Sequence, residues 1–273
     1  MLGVLTATAC ETAQPVAATG SKLETSIGLT MIAVAAGEFW IGSPESEAGR
    51  DGDEPRHRVR FTKAYWLGET EVTQGQWRAV MGTEPWKGNP YLREGDAVAA
   101  TCVSHVDARE FCRKLTEREM AAGRLPEGYR FVLPTEAEWE SAARAGTETA
   151  FPFGADGSLM PEYAVYPAAR EGEYPHAVKS RKPNAWGFHD LNGNVWEWCA
   201  DFANWADKVV TDSYRDGIVD PLCQSGRLRI RRGGSWYHPA AGSRSADREC
   251  SSPDHADFSF GFRPALAARS DVE

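Results

Sequence analysis

The stretch PNAWGFHDLNGNVWEWCAD, Pro183 to Asp201, sets the tightest limit on the fold. Three tryptophans (Trp186, Trp196, Trp198) and three carboxylates (Asp190, Glu197, Asp201) are interleaved there with glycine and asparagine. Tryptophan brings a large area to bury. Gly and Asn supply turns through positive φ, so the stretch suits neither a regular helix nor a regular strand. It predicts an irregular segment fixed by aromatic packing and by whatever satisfies its oxygens. Asp190, the carbonyls near Gly193 and Val195, and Glu197 form an all-oxygen set that suits a structural calcium ion, a hard cation tolerant of irregular geometry. The same carboxylates could instead cap turns and pair with arginines, and the spacing is not that of an EF-hand loop.

The chain has 273 residues, enough to bury a sizeable core. A net charge of −9 disfavours nonspecific nucleic-acid binding, which needs basic surface. Ten tryptophans among 26 glycines and 16 prolines favour a loop-rich fold over a helical bundle. No apolar run reaches the length of a membrane span. Six cysteines in so long a chain do not make a disulfide framework. Cys199 and Cys223 could pair in an oxidising compartment, but most of the six read as small core residues. Residues 1–27 are rich in small residues and predict a disordered leader. Within it, LTATAC resembles the end of a lipoprotein signal, with Cys10 as lipid anchor and a cell-envelope location as the consequence, although the preceding region is short and lacks positive charge.

Residues 28–268 read as one α+β domain. MIAVAAGEFWI predicts a strand, a turn at Ala36-Gly37 and a second strand, followed by a long surface loop over 43–57 and a strand over Arg58 to Leu67. Thr73 with Gln76 forms a capping box, with Val72 stapled against Trp77 and Gly82 as the stop. A second helix is expected over Asp107 to Ala122, with Ala108, Phe111, Cys112 and Leu115 on one face. A third opens at the Thr135–Glu138 capping box and closes at Gly146. Glu136, Glu138 and Glu140 read as first-turn acids that suit the helix dipole. The six histidines show no zinc spacing, and there is neither a phosphate loop nor a nucleophile elbow.

GNVWEW, RRGGSW (Arg231 to Trp236) and GFRPA (Gly261 to Ala265) resemble the formylglycine-generating, sulfatase-modifying-factor family. GEFWIGS, ETEVTQGQW, DAREFCRKL and LPTEAEWESAARAG agree in order, from about Leu29 to Ala265. The resemblance implies a C-type-lectin-like fold, which hosts both oxidases and binding proteins. It also implies a calcium site on Asp190, Gly193, Val195 and Glu197; a second calcium site is not carried over, because Ala164 stands in its ligand position. The family's oxidases hold copper through two cysteines after the GGS turn. Here those places fall on His238 and on the Gly242-Ser243 neighbourhood, and no cysteine lies between Cys223 and Cys250. Copper(I) wants thiolates, so copper is not expected.

The segment over residues 236–260 has no helical or strand period. It predicts loops that offer Tyr237, His238, Ser243, Asp247, Ser251, Ser252, His255, Asp257, Phe258, Ser259 and Phe260 to a protein or glycan ligand, much as a paratope does. It resembles the variable region of retroelement-diversified proteins, some of which use this fold. All of the named residues can arise from one adenine-rich asparagine codon, whereas Glu249 cannot. An ordinary degenerate loop fits the same composition. The expected function is ligand binding without catalysis, the alternative a related oxidoreductase or maturation factor with an altered site.

Overall fold

A computed structural model of the chain describes residues 18–167, 174–203 and 213–268. In chain order its elements are β1 (Lys22–Glu24), β2 (Thr30–Val34), β3 (Gly37–Ile41), β4 (His57–Phe61), β5 (Tyr65–Gly68), α1 (Gln74–Met81), α2 (His105–Ala121), β6 (Arg130–Val132), α3 (Glu136–Arg144), α4 (Met160–Tyr163), β7 (Trp196–Ala203), β8 (Ile218–Val219), β9 (Leu228–Arg232), β10 (Arg248–Ser251), β11 (Phe260–Gly261) and β12 (Ala265–Ala267). The strands form three sheets, ordered β1-β2-β5-β12-β6, β10-β9-β7-β11 and β3-β4-β8. This is a single α+β domain. None of its described helices is long and apolar enough to cross a membrane.

Burial explains the strand sequences. Ile32 and Val34 of β2 enter a core with Val59, Phe61 and Trp139, while Met31 enters a second core with Trp77, Phe111 and Phe262. A strand covered on both faces needs a continuous apolar run, which is what TMIAV supplies. In contrast, β4 alternates buried and exposed residues and keeps one wet face. The predicted strand over Arg58 to Leu67 is two strands. The chain turns at Thr62, whose N–H and hydroxyl donate to Asp220 at 2.8 and 2.6 Å. The ordered body also starts before residue 28, because β1 pairs antiparallel with β2. Cys10 lies outside the described residues.

The starts of α1, α2 and α3 are closed by capping boxes, at Thr73–Gln76, Ser104–Asp107 and Thr135–Glu138. Asp107 is therefore the third residue of α2 and not its first, so the helix begins at His105. α3 ends one residue earlier than the glycine suggested, with Ala145 in the left-handed region at φ +47°.

The acids of α3 do more than suit its dipole. Arg232 reaches Glu136 and Glu140, Arg248 bonds both oxygens of Glu136 at 2.7 and 2.8 Å, and Arg144 bonds Glu140 at 2.8 Å. Burial alone would raise the Glu136 carboxyl, but Arg248 and Arg232 hold it below its ordinary value. This ion-pair layer welds α3 to β9 and β10.

Asp201 of β7 accepts the backbone N–H groups of Glu136 and Cys223. Burial, then repulsion from Glu136, pushes its carboxyl up to about 7. The folded chain thus holds a proton that the unfolded chain releases near pH 4. The stability this contributes is full below about pH 4 and is lost as pH rises through 7. Urea midpoints measured across that window should decline less steeply for Asp201→Asn than for the wild type; parallel declines would show that Asp201 does not carry the slope.

Candidate functional site

Glu197 is the second residue of β7, so the stretch expected to be irregular throughout is a strand from Trp196 onward, paired with β9 and β11. Glu197 Oε2 accepts from Trp139 Nε1 at 2.8 Å and Arg263 Nε at 2.7 Å, and its Oε1 accepts from Arg263 Nη2 at 2.8 Å. Arg263 also donates to the Gly68 and His189 carbonyls. The turn before β7 is tight: Asp190 and Asn194 are left-handed, at φ +65° and +62°. A Cβ on Gly193 would lie 2.5 Å from the Val165 carbonyl oxygen, so only glycine fits.

Sequence reasoning missed one member of this cluster, Glu71. Its Oε1 accepts from Asn194 Nδ2 at 3.1 Å, and its Oε2 is buried without a hydrogen-bond partner. Asp190 is similar: Oδ2 accepts the Lys179 N–H at 2.9 Å, and Oδ1 is buried and unpartnered. Burial, then the charges of Asp190 and Glu197, push the Glu71 carboxyl well up. Burial first, with a contribution from Glu197, pushes Asp190 up to about 6. Three buried carboxylates therefore face one guanidinium, and two of their oxygens lack a donor. That donor set suits a hard cation at Asp190 and Glu71. Glu197 fits less directly, since Arg263 and Trp139 already occupy both of its oxygens. No sequence pattern marks Glu71, whose ETEV context reads as an ordinary lead-in to α1.

The display residues divide by burial. Tyr237, Ser252 and His255 are exposed, and His238, Ser251, Asp257 and Phe258 are half-buried. Ser243, Asp247, Ser259 and Phe260 are buried, which corrects the expectation that all eleven face a ligand. Phe260 pairs with Trp196 in the parallel β11–β7 ladder and packs edge-on against Trp198. Ser259 is turned inward by its bonds to Asp257 Oδ1, at 2.8 Å from the backbone and 2.6 Å from the hydroxyl. Asp247 lies beside Arg244, and its carbonyl accepts from Arg232. Nor is the segment free of regular structure, for Arg248–Ser251 is a strand paired with β9. The aromatic cluster around Tyr237 extends beyond the predicted segment. Tyr91, from the loop between α1 and α2, lies 6.1 Å ring to ring from Phe258, which is 5.3 Å from Tyr237 and 5.6 Å from Trp236.

His238 occupies one thiol position, and its chemistry is fixed by its neighbours. Trp196 Nε1, which can only donate, meets His238 Nδ1 at 3.1 Å, and the Ser235 hydroxyl lies 2.7 Å from the same nitrogen. Nδ1 must therefore accept, which leaves the proton on Nε2. Burial, then the charge of Arg231, lowers the imidazole pKa and keeps it neutral. A protonated ring nitrogen is a hydrogen-bond donor and not a metal ligand. The Ser243 hydroxyl is buried and unpartnered. Cys199 and Cys223 carry free thiols that bond the Glu197 and Ser225 carbonyls.

Phe260→Ala should cost about 3–5 kcal/mol of unfolding free energy, as for a core aromatic, whereas Tyr237→Ala should stay within about 0.5 kcal/mol. Equal losses in chemical denaturation would erase the distinction between core and surface.

Residues 18–268 match the sulfatase-modifying factor enzyme 1-like domain. A formylglycine-generating enzyme from Thermomonospora curvata is 36% identical over 149 residues, which covers 49% of this chain and 48% of that protein. Among solved structures, PvdO from Pseudomonas aeruginosa superimposes with a TM-score of 0.77 at 28% identity, covering 92% of this chain and 99% of the other. Treponema denticola variable protein 1 superimposes with a TM-score of 0.76 at 30% identity, covering 90% and 98%. With residues 18–268 matched, the chain belongs to the sulfatase-modifying factor enzyme 1-like family.

Proposed function

We propose that this chain is a non-catalytic ligand-binding protein whose recognition surface is centred on Tyr237, Phe258 and Tyr91, with His238, Ser252, His255 and Asp257 around them. The observation that carries this reading is the state of His238. A nucleophilic thiolate pair is replaced by a neutral imidazole tied to Trp196 and Ser235 and by a sunken serine hydroxyl. Neither group donates electron density to copper(I) as thiolates do. Tyr91 and Tyr237, 65% and 58% exposed, are large aromatic side chains held open on a rigid body. Such residues contribute contact area to a protein or glycan at low entropic cost. The structural likeness to a variable protein supports the same reading. Likeness to a formylglycine-generating enzyme supports the second, an oxidoreductase with an altered site.

Purified chain incubated with a sulfatase-derived thiol peptide, oxygen and copper should yield no aldehyde by mass spectrometry. Aldehyde formation would replace the binding reading with the enzymatic one.

A structural calcium ion at Asp190 and Glu71, with the Gly193 and Val195 carbonyls and Glu197 beside them, is part of the proposal. Chelation should lower the melting temperature of the wild type but not of Asp190→Ala. Asp190 is the better choice for this test, because loss of Glu197 would strand Arg263 whatever ion is present. A wild-type melting curve indifferent to chelator removes the ion.

A further inference from the structure

Three aromatic rings meet Phe258. Trp236 lies 5.6 Å from it ring to ring, Tyr237 5.3 Å and Tyr91 6.1 Å. Trp236 is buried and Phe258 half-buried, whereas Tyr91 and Tyr237 stand mostly in solvent. The cluster is braced through the backbone. Asn89 accepts the Tyr91 N–H at 3.0 Å, and its side chain also bonds Cys102. Cys102, left-handed at φ +56°, donates its own N–H to the Asp257 carbonyl at 3.0 Å. The loop that bears Tyr91 is thereby tied to the one that bears Phe258. Rings fixed in this way lose little freedom when a ligand covers them.

Two polar atoms border the rings. His238, 5.7 Å ring to ring from Tyr237, carries its proton on Nε2, and no described residue accepts from it. Asp257 takes both bonds from Ser259 on Oδ1, and no described residue donates to Oδ2. Neither atom is sealed from water, and the Asp257 charge acts on His238. We propose that this platform binds a neutral sugar ring of a glycan, its C–H face against Tyr237 and its hydroxyls on His238 Nε2 and Asp257 Oδ2. The negative face of an aromatic ring attracts weakly positive C–H bonds. Each hydroxyl both donates and accepts, so a vicinal pair satisfies a carboxylate and an imidazole N–H together. An apolar anchor from a protein would cover both polar atoms and leave them unpartnered. Charge narrows the class further, because Asp257 and a net charge of −9 repel sialylated and sulfated sugars. The inference rests on the ligand-binding reading and names its ligand class.

The test exposes the intact chain to immobilised neutral, sialylated and sulfated oligosaccharides and measures affinity for those retained by calorimetry. Neutral oligosaccharides should bind, and acidic ones built on the same core should bind less. Tyr237→Ala should weaken binding roughly tenfold or more without lowering the melting temperature. Tyr237→Phe, which keeps the ring, should stay close to the wild type. Silence from every oligosaccharide, binding confined to acidic sugars, or affinity indifferent to Tyr237→Ala overturns the assignment. Silence alongside a protein ligand whose binding Tyr237→Ala weakens would remove this inference and keep the ligand-binding reading. Aldehyde made from the thiol peptide by a chain that binds neutral sugars would remove the non-catalytic reading and leave the platform.

Discussion

Glu197 and Arg263 meet where β7, α3, β5 and the run into β12 converge, and both are fully buried. Between them they hold the Trp139 indole, the Gly68 carbonyl and the His189 carbonyl. Loss of either partner would leave a charge in an apolar interior, at a cost on the order of 3–5 kcal/mol. Such a pair adds little net stability over apolar packing of the same volume. What it does is specify position, because a misplaced strand would leave a charge unmatched. Glu71 and Asp190 add negative charge to the same place, and one arginine does not balance three acids.

The same logic recurs one layer away, where Glu136 and Glu140 of α3 meet Arg232, Arg248 and Arg144. Loop-rich folds have few long ladders to fix their geometry, and buried ion pairs give irregular segments a defined seat.

Local chemistry made the helices legible. Each of the three capping boxes involves residues three apart, and Thr73 and Thr135 were read without knowledge of the fold, whereas the Ser104–Asp107 box was missed and α2 was started two residues late. Burial set by distant partners was not. Phe260 looks like a surface aromatic between serine and glycine until the parallel ladder with Trp196 places it in the core. Asp247 reads as a loop acid until Arg244 reaches it. Glu71 and Tyr91 joined their sites through contacts with residues 123 and 167 positions away, and no periodicity carries that information. The irregular segment was readable as a hub because its aromatics and turn residues declare themselves. Its partner Arg263 lay in a motif quoted only for resemblance.

β12 sits between β5 and β6 in the five-stranded sheet, although it is the last described strand in chain order. During synthesis β5 and β6 must therefore wait on the ribosome with a shared gap, their hydrogen-bonding edges facing each other across an unfilled slot. That strand acts as a keystone, and cooperative closure of the sheet is postponed until it emerges. A nascent chain of this kind is exposed to edge pairing with its neighbours for most of its translation.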